Sequence, residues 1–411
     1  MMKNNTTDLK AEIKRPPFCT GRVNCGLCKS CILAESVRDA GILSGYPGDA
    51  LIGEINNRLP SGSIFIADLG TTTIAGEFIE NGRITFSGGI PNSQSIYGSD
   101  VVSRSEASIN GHGKELKSLI SKDISKLITQ AKSRPERIIL SGNTTIIHLL
   151  KGYDCSGLVS YPFTPVSNEW QNGDIDGIPY EAFPGISAYV GGDALSGLYA
   201  LGYHINDKIC LFIDLGTNGE MAIGNREKIL VTSAAAGPAF EGSLIGTASD
   251  VISVTSSLHK EGIIDDNGLL ADIYFEEGYP YVRRDSRRIL ITQKDIRNIQ
   301  MAKSAVYTGC ELLIKNYGIN IGDIDKVYIS GGMGNFTDMG AASDIGLIKK
   351  ELAEKVLLMG NTSLMGLSRY VSNCEDRSTI DSLKNKCSEL ILANDPDFQD
   401  MYLDHMSFSS D

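Results

Sequence analysis

The sequence predicts an α/β protein made of two related lobes that face each other across a cleft, with a small cysteine-rich metal-binding segment in front of them. Three observations carry this expectation. An apolar run that ends in Asp-Leu-Gly-Thr and leads into a second run and a hairpin turn occurs twice, at Asp68 and at Asp214. Segments with helical periodicity separate the strand-like runs, which is the alternation of an α/β fold. Four of the nine cysteines fall between Cys19 and Cys31.

In chain order, residues 1–17 are polar and read as a disordered tail. Residues 18–62 hold the cysteine cluster and a connector with turn signals at Gly45–Gly48 and Pro60–Gly62. The first lobe is expected over 63–205. Ser63–Leu69 is a strand, Gly70–Thr73 a tight turn, and Asn81-Gly82 joins two further strands. Leu116, Leu119, Ile120, Ile124, Leu127 and Ile128 recur at helical spacing, and Arg137–Leu140 is a strand that runs into a helix at Thr144. The second lobe is expected over 206–411. Lys208–Ile213 repeats the first strand, and Gly224–Arg226 turns a second hairpin. Gln293–Tyr317 is a long helix with Thr292 as N-cap and Ile299, Ala302, Val306, Cys310 and Leu313 on one face. Asp325–Ser330 is a strand that ends in Gly331-Gly332-Met333-Gly334. Trp170 falls in a polar stretch, 167–175, read as a loop.

The net charge of −12 argues against a nucleic-acid binder, which needs a basic face to displace phosphate counterions. No apolar run is long enough to span a membrane, and residues 1–17 lack the apolar centre of a signal peptide, so a cytoplasmic protein is expected.

The repeated turn suits a nucleotide. Phosphate oxygens need backbone N–H donors at close approach, which small residues permit. Gly70 and Gly216 allow the turns, while Thr71, Thr72, Thr73, Thr217 and Asn218 add side-chain donors. Asp68 and Asp214 end their strands where a carboxylate can hold Mg²⁺, chiefly through water. Glu220 is a candidate to orient an attacking water, weighed against an ordinary structural carboxylate. The glycines 331, 332 and 334 leave room for adenine or ribose. His148, within Thr144–Leu150, reads as a core or interface histidine before a cobalt ligand.

The order Asp68-Leu-Gly-Thr, Ser141-Gly142-Asn143-Thr144-Thr145, Asp214-Leu-Gly-Thr-Asn-Gly-Glu220 and Ser330-Gly-Gly-Met-Gly334 resembles the phosphate-1, connect-1, phosphate-2 and adenosine motifs of the actin-like ATPases, a duplicated ribonuclease-H-like fold. Within them the chain is similar to the reductive activators of corrinoid proteins. That likeness is carried by Asn92-Ser-Gln94, Tyr97-Gly-Ser-Asp100, Tyr189-Val-Gly-Gly-Asp193, Ala235-Ala-Gly237-Pro-Ala-Phe-Glu-Gly242 and Asp395-Pro-Asp-Phe-Gln399. It implies an ATP hydrolase that passes a low-potential electron to a corrinoid protein or corrinoid-dependent methyltransferase, taking cobalt from Co(II) to Co(I). It also implies a reduced ferredoxin-like donor; a homodimer is left open. Two departures stand out. The family carries a whole ferredoxin domain and a linker domain where this chain has residues 1–62, so it reads as a short N-terminal variant. After Glu241-Gly242, Ser243–Asp250 replaces the family's Gly-Met-Arg-Ala segment.

Cys19, Cys25, Cys28 and Cys31 supply soft thiolates suited to an iron–sulfur cluster or Zn²⁺. The first three resemble a plant-type ferredoxin run with one residue added, and no cysteine occurs from there to Cys155 except Cys31. A [4Fe–4S] or [2Fe–2S] centre would relay one electron, whereas Zn²⁺ would only staple the segment. Two other functions remain open on the same motifs. One is a nucleotide-binding regulator with structural Zn²⁺; the other is a small-molecule kinase with Asp193 or Asp100 as base. Iron and sulfide analysis of anaerobically purified protein should find both elements with visible absorbance, and Cys28→Ser should diminish all three. Zinc without iron would contradict the relay.

Overall fold

The computed structural model describes residues 59–408 except 217, 241–244, 284–285, 332–337 and 374–375. The tail, the four clustered cysteines, Thr217, Gly332 and Gly334 therefore lie outside the described residues.

The strands are β1 Ser63–Leu69, β2 Thr73–Glu80, β3 Arg83–Pro91, β4 Arg137–Gly142, β5 Gln171–Ile175, β6 Ile178–Ala182, β7 Cys210–Leu215, β8 Gly219–Gly224, β9 Ile229–Ala234, β10 Tyr279–Val282, β11 Arg288–Ile291, β12 Lys326–Gly331, β13 Val356–Gly360 and β14 Cys387–Glu389. The main helices are α1 Val101–Ala107, α2 Gly113–Gln130, α3 Thr144–Lys151, α4 Gly192–Ala200, α5 Ala248–Lys260, α6 Gln293–Tyr317, α7 Thr362–Ser372, α8 Arg377–Asn385 and α9 Phe398–Asp404.

Two six-stranded sheets result, ordered β3-β2-β1-β4-β6-β5 and β13-β12-β7-β8-β9-β14, with β10 and β11 as a separate hairpin. Read from the hairpin side, β9-β8-β7-β12-β13 repeats β3-β2-β1-β4-β6. In each sheet the first three strands are antiparallel and the fourth joins the first in parallel. The duplicated actin-like fold expected from the two Asp-Leu-Gly-Thr turns is thus present.

Strand alternation sorts the side chains into layers. In β1, Phe65, Ala67 and Leu69 enter an outer core covered by α2, through Leu116, Ile120, Ile124 and Leu127. Ile64 and Ile66 point the other way, into a layer between the lobes. β7 repeats this parity: Leu211, Ile213 and Leu215 face α6, while Cys210 and Phe212 face inward. The predicted face of α6 packs in that outer core. Its ends also follow from local chemistry, since Thr292 and Asp295 form a capping box and Gly318 closes the helix at φ 84°.

The inner layer holds α4 and α7, one from each lobe. They meet at backbone distance: a Cβ on Gly366 of α7 would lie 2.0 Å from the Ser196 carbonyl oxygen of α4. Only glycine permits that approach.

A strap from the second lobe crosses to the first. Trp170 Nε1 donates to Asp381 Oδ1 at 2.7 Å, and the Arg377 guanidinium lies 4.9 Å from the Trp170 ring centre. Trp170 also packs on Phe183 and Tyr370, at 5.0 and 5.6 Å between ring centres. Arg377 pairs with Glu181, Lys384 with Glu169, and Ser187 donates to Glu389. Partly exposed ion pairs contribute about 0–1 kcal/mol each, whereas packed aromatic pairs add about 0.5–1.5 kcal/mol beyond their buried area. The rings are therefore the stronger component. The polar stretch 167–175 is not simply a loop: Gln171–Ile175 is β5, paired with β6 through Gln171↔Ala182 and Ile175↔Ile178. Its alternation is hidden because Asn172, Gly173 and Asp174 are all exposed.

Gly366→Ala should lower stability by roughly 1–3 kcal/mol in urea unfolding, the usual cost of overpacking. Gly322→Ala, where a new Cβ meets nothing within 4 Å, should change it by less than about 0.5 kcal/mol.

Candidate functional site

The layer parity that buries Ile64 and Ile66 between the lobes carries Asp68 to the same side, and that of Cys210 and Phe212 does so for Asp214. Both carboxylates thus end the central strand of their sheet on the inward face. The following Leu pairs in each case with a glycine on the neighbouring parallel strand, Leu69 with Gly142 and Leu215 with Gly331. A Cβ on Gly142 would sit 2.9 Å from Leu69 Cβ, and one on Gly331 would sit 2.5 Å from Asp214 Oδ1. Gly331 also has φ 84°, a left-handed conformation that favours glycine.

The first turn, Gly70–Thr73, is braced by Asn92. Its Nδ2 donates to Gly70 O at 2.9 Å, and its backbone N–H donates to Thr72 O at 2.9 Å. The second turn is one residue shorter, because Leu69 pairs with Ile74 but Leu215 with Gly219. Gly216 N–H donates to Asn218 O within it. The shorter turn places Glu220 opposite Asp214, where the first lobe has Ala75 opposite Asp68.

Asp193, in the first turn of α4, joins this group. It is enclosed by protein yet keeps some solvent access, the condition of a group on the floor of a cleft. Burial, and then the charges of Asp68 and Asp214, push its carboxyl up to about 7. Burial, then Asp193 and Asp214, hold Glu220 well above the usual carboxylate range. Four carboxyl groups from both lobes thus share one electrostatic site.

Asp68 is gripped from the second lobe. Asn361 Nδ2 donates to Asp68 Oδ2 at 2.9 Å, and Ser363 Oγ donates to Asp68 Oδ1 at 2.8 Å. Ser363 Oγ also lies 2.5 Å from Ser141 Oγ.

Other expected site residues use their side chains locally. Asn143 Oδ1 caps α3 by accepting from Thr145 N–H, and the Thr144 hydroxyl donates to Ser187 O. The Thr144 hydroxyl proton is thus committed to Ser187 O, whereas the Asn143 cap uses only its amide oxygen. Gly237 begins a short turn after β9 at φ 70°, with open space where a Cβ would stand. Topologically, Ser141–Thr144 matches Ser330–Gly331, while the segments that enter the interlobe layer begin at Gly191 and Asn361. His148 is a core histidine: its Nε2 accepts from Val166 N–H at 3.0 Å, so Nδ1 carries the proton and donates to Thr144 O. Burial holds its pKa below the usual value.

Asn92 and Asp193 stand in the sequence as parts of family motifs, Asp193 also as a kinase-base option. Asn361 and Ser363 went unread, although Asn-Thr-Ser after the apolar run Val356–Met359 is an N-cap signal.

Among the described residues no three His, Cys, Asp or Glu side chains are placed to ligate a metal directly. The oxygen-only donor set suits Mg²⁺ held mostly by water and phosphate. No described helix is long and apolar enough to cross a membrane.

Comparison with known proteins is consistent along this whole region. Residues 65–206 match the family described as the RACo middle region, and residues 208–250 and 246–411 match the C-terminal ASKHA domain of RACo. The corrinoid activation enzyme RamQ of Eubacterium limosum is 28% identical, across 83% of this chain and 69% of that protein. A Methanosarcina barkeri reductase of a methylated-amine-specific corrinoid protein is 28% identical, across 55% of this chain and 51% of its own length. The solved reductive activator for a corrinoid iron–sulfur protein superposes with a TM-score of 0.78 at 25% identity, across 85% of this chain and 66% of that one. The chain thus spans between about half and just over two thirds of these relatives. Through its middle and ASKHA regions together, the chain belongs to the RACo family of reductive activators of corrinoid proteins.

Proposed function

We propose that the chain is an ATP-dependent reductive activator that returns the cobalt of a corrinoid protein from Co(II) to Co(I) by one electron. The observation that carries this reading is the meeting of Asp68, Asp193, Asp214 and Glu220 from two duplicated lobes, in a chain of this family. A triphosphate laid between the turns at Gly70–Thr73 and Gly216–Asn218 would meet backbone donors from both lobes. Bound Mg²⁺ would neutralise charge on the phosphates and on the facing carboxylates. Asp193 and Glu220, both held toward the neutral form by burial and neighbouring carboxylates, are the groups suited to orient water or take its proton once a cation lowers their pKa.

Cys19, Cys25, Cys28 and Cys31 would hold an iron–sulfur centre, with a reduced ferredoxin-like protein as the electron donor. Such a centre would supply the single electron that takes Co(II) to Co(I). ATP contributes through contacts with the corrinoid partner that differ between the nucleotide states, since only a difference in affinity shifts such an equilibrium. The partner is a corrinoid protein of a methyltransferase system.

Reduced protein mixed anaerobically with a Co(II) corrinoid protein should form Co(I), followed by absorbance, when ATP is added and not before. Failure to form Co(I) with the partners of the related activators would remove this function. Asp193→Asn should cut phosphate release about 100-fold or more while ATP still binds; full activity in that variant would exclude Asp193 from the hydrolytic step.

A further inference from the structure

We propose that Asn361 and Ser363 of the second lobe are positioning residues for Asp68 of the first, and thereby set how readily the site takes up Mg²⁺ with ATP. This rests on reading the cleft as a nucleotide site.

The donor directions are determined by the surrounding bonds. Asn361 Oδ1 caps α7 by accepting from Leu364 N–H at 2.8 Å, so its Nδ2 is left to face Asp68 Oδ2. Turning the amide over would lose the cap and set an oxygen against a carboxylate. The Ser363 hydroxyl has one proton, and it goes to Asp68 Oδ1. In the contact with Ser141 the proton must therefore come from Ser141. A directed chain results: Ser141 to Ser363 to Asp68.

Both oxygens of the carboxylate are thus held by one helical turn of the opposite lobe, which fixes the plane of the group. That turn is itself located by the first lobe, because Ser196 Oγ donates to Ser363 O at 2.8 Å and Gly366 abuts the Ser196 carbonyl. Asn361 and Ser363 touch neither phosphate nor metal in this scheme. They orient a group that does, in the way outer partners orient metal-binding carboxylates.

The test uses the full chain and calorimetric titration with ATP over a range of Mg²⁺ concentrations, including a chelator arm without metal. Asn361→Ser keeps a capping oxygen but cannot reach Asp68, and Ser363→Ala removes the other donor. Each should raise the Mg²⁺ concentration needed for half of the affinity gain about ten- to hundredfold. Metal-free ATP affinity should stay unchanged, and saturating Mg²⁺ should restore the parental value. Ser141→Ala, one bond further out, should shift the midpoint less. Should Asn361→Ser fail to fold, Ser363→Ala carries the measurement. An unshifted Mg²⁺ midpoint would overturn the proposal, as would an equal loss of affinity with and without metal, the sign of a purely structural contact. If the unaltered chain shows no Mg²⁺-dependent ATP binding, the nucleotide reading itself falls. That result is separate from normal binding in the parent with no shift in the variants.

Discussion

The contact between α4 and α7 is the constraint on which the rest of the molecule depends. Each lobe sends one helix into the shared layer, and the two meet with a glycine of one against a carbonyl of the other. At that separation Gly366 offers no side chain to absorb a shift. The turn before α4 brings Asp193 to the cleft, and the turn that starts α7 brings Asn361 and Ser363 to Asp68. The position of the carboxylates is therefore a property of the crossing as much as of the strands that bear them.

Their chemistry follows from crowding. Four acidic groups in one cleft cannot all be ionised at low cost without a cation, and burial penalises the charged form further. The site resolves this unevenly. Asp68 receives two side-chain donors, while Asp193 and Glu220 are driven toward protonation by burial and by their neighbours' charge. An arrangement of this kind is poised for a ligand that brings positive charge, as the proposed metal-bound triphosphate would.

Much of this was legible in the sequence because it is local. The apolar run before each Asp-Leu-Gly-Thr gave the strands and placed an aspartate at the end of each, and Thr292 marked the start of α6. What escaped is non-local. Nothing near Asn361 indicates that it will meet a residue 293 positions earlier, because that pairing exists only once two helices have crossed. The lobe-two turn is shorter by one residue, and its consequence, Glu220 facing Asp214, needs the strand register. The stretch around Trp170 looked featureless since three successive exposed residues of β5 break the alternation. The role of the cysteine segment rests on its ligand chemistry alone.

The strap gives the protein an internal spectroscopic gauge. The chain contains one tryptophan, and its indole is wedged between Phe183 of the first lobe and Tyr370 and Arg377 of the second, with its nitrogen tied to Asp381. Indole emission is sensitive to polarity and to nearby charged or hydrogen-bonding groups, all of which this seam supplies from the opposite lobe. Any hinge motion that slides the seam would change the colour or yield of that single emitter, so unlabelled protein can report its own opening and closing in real time.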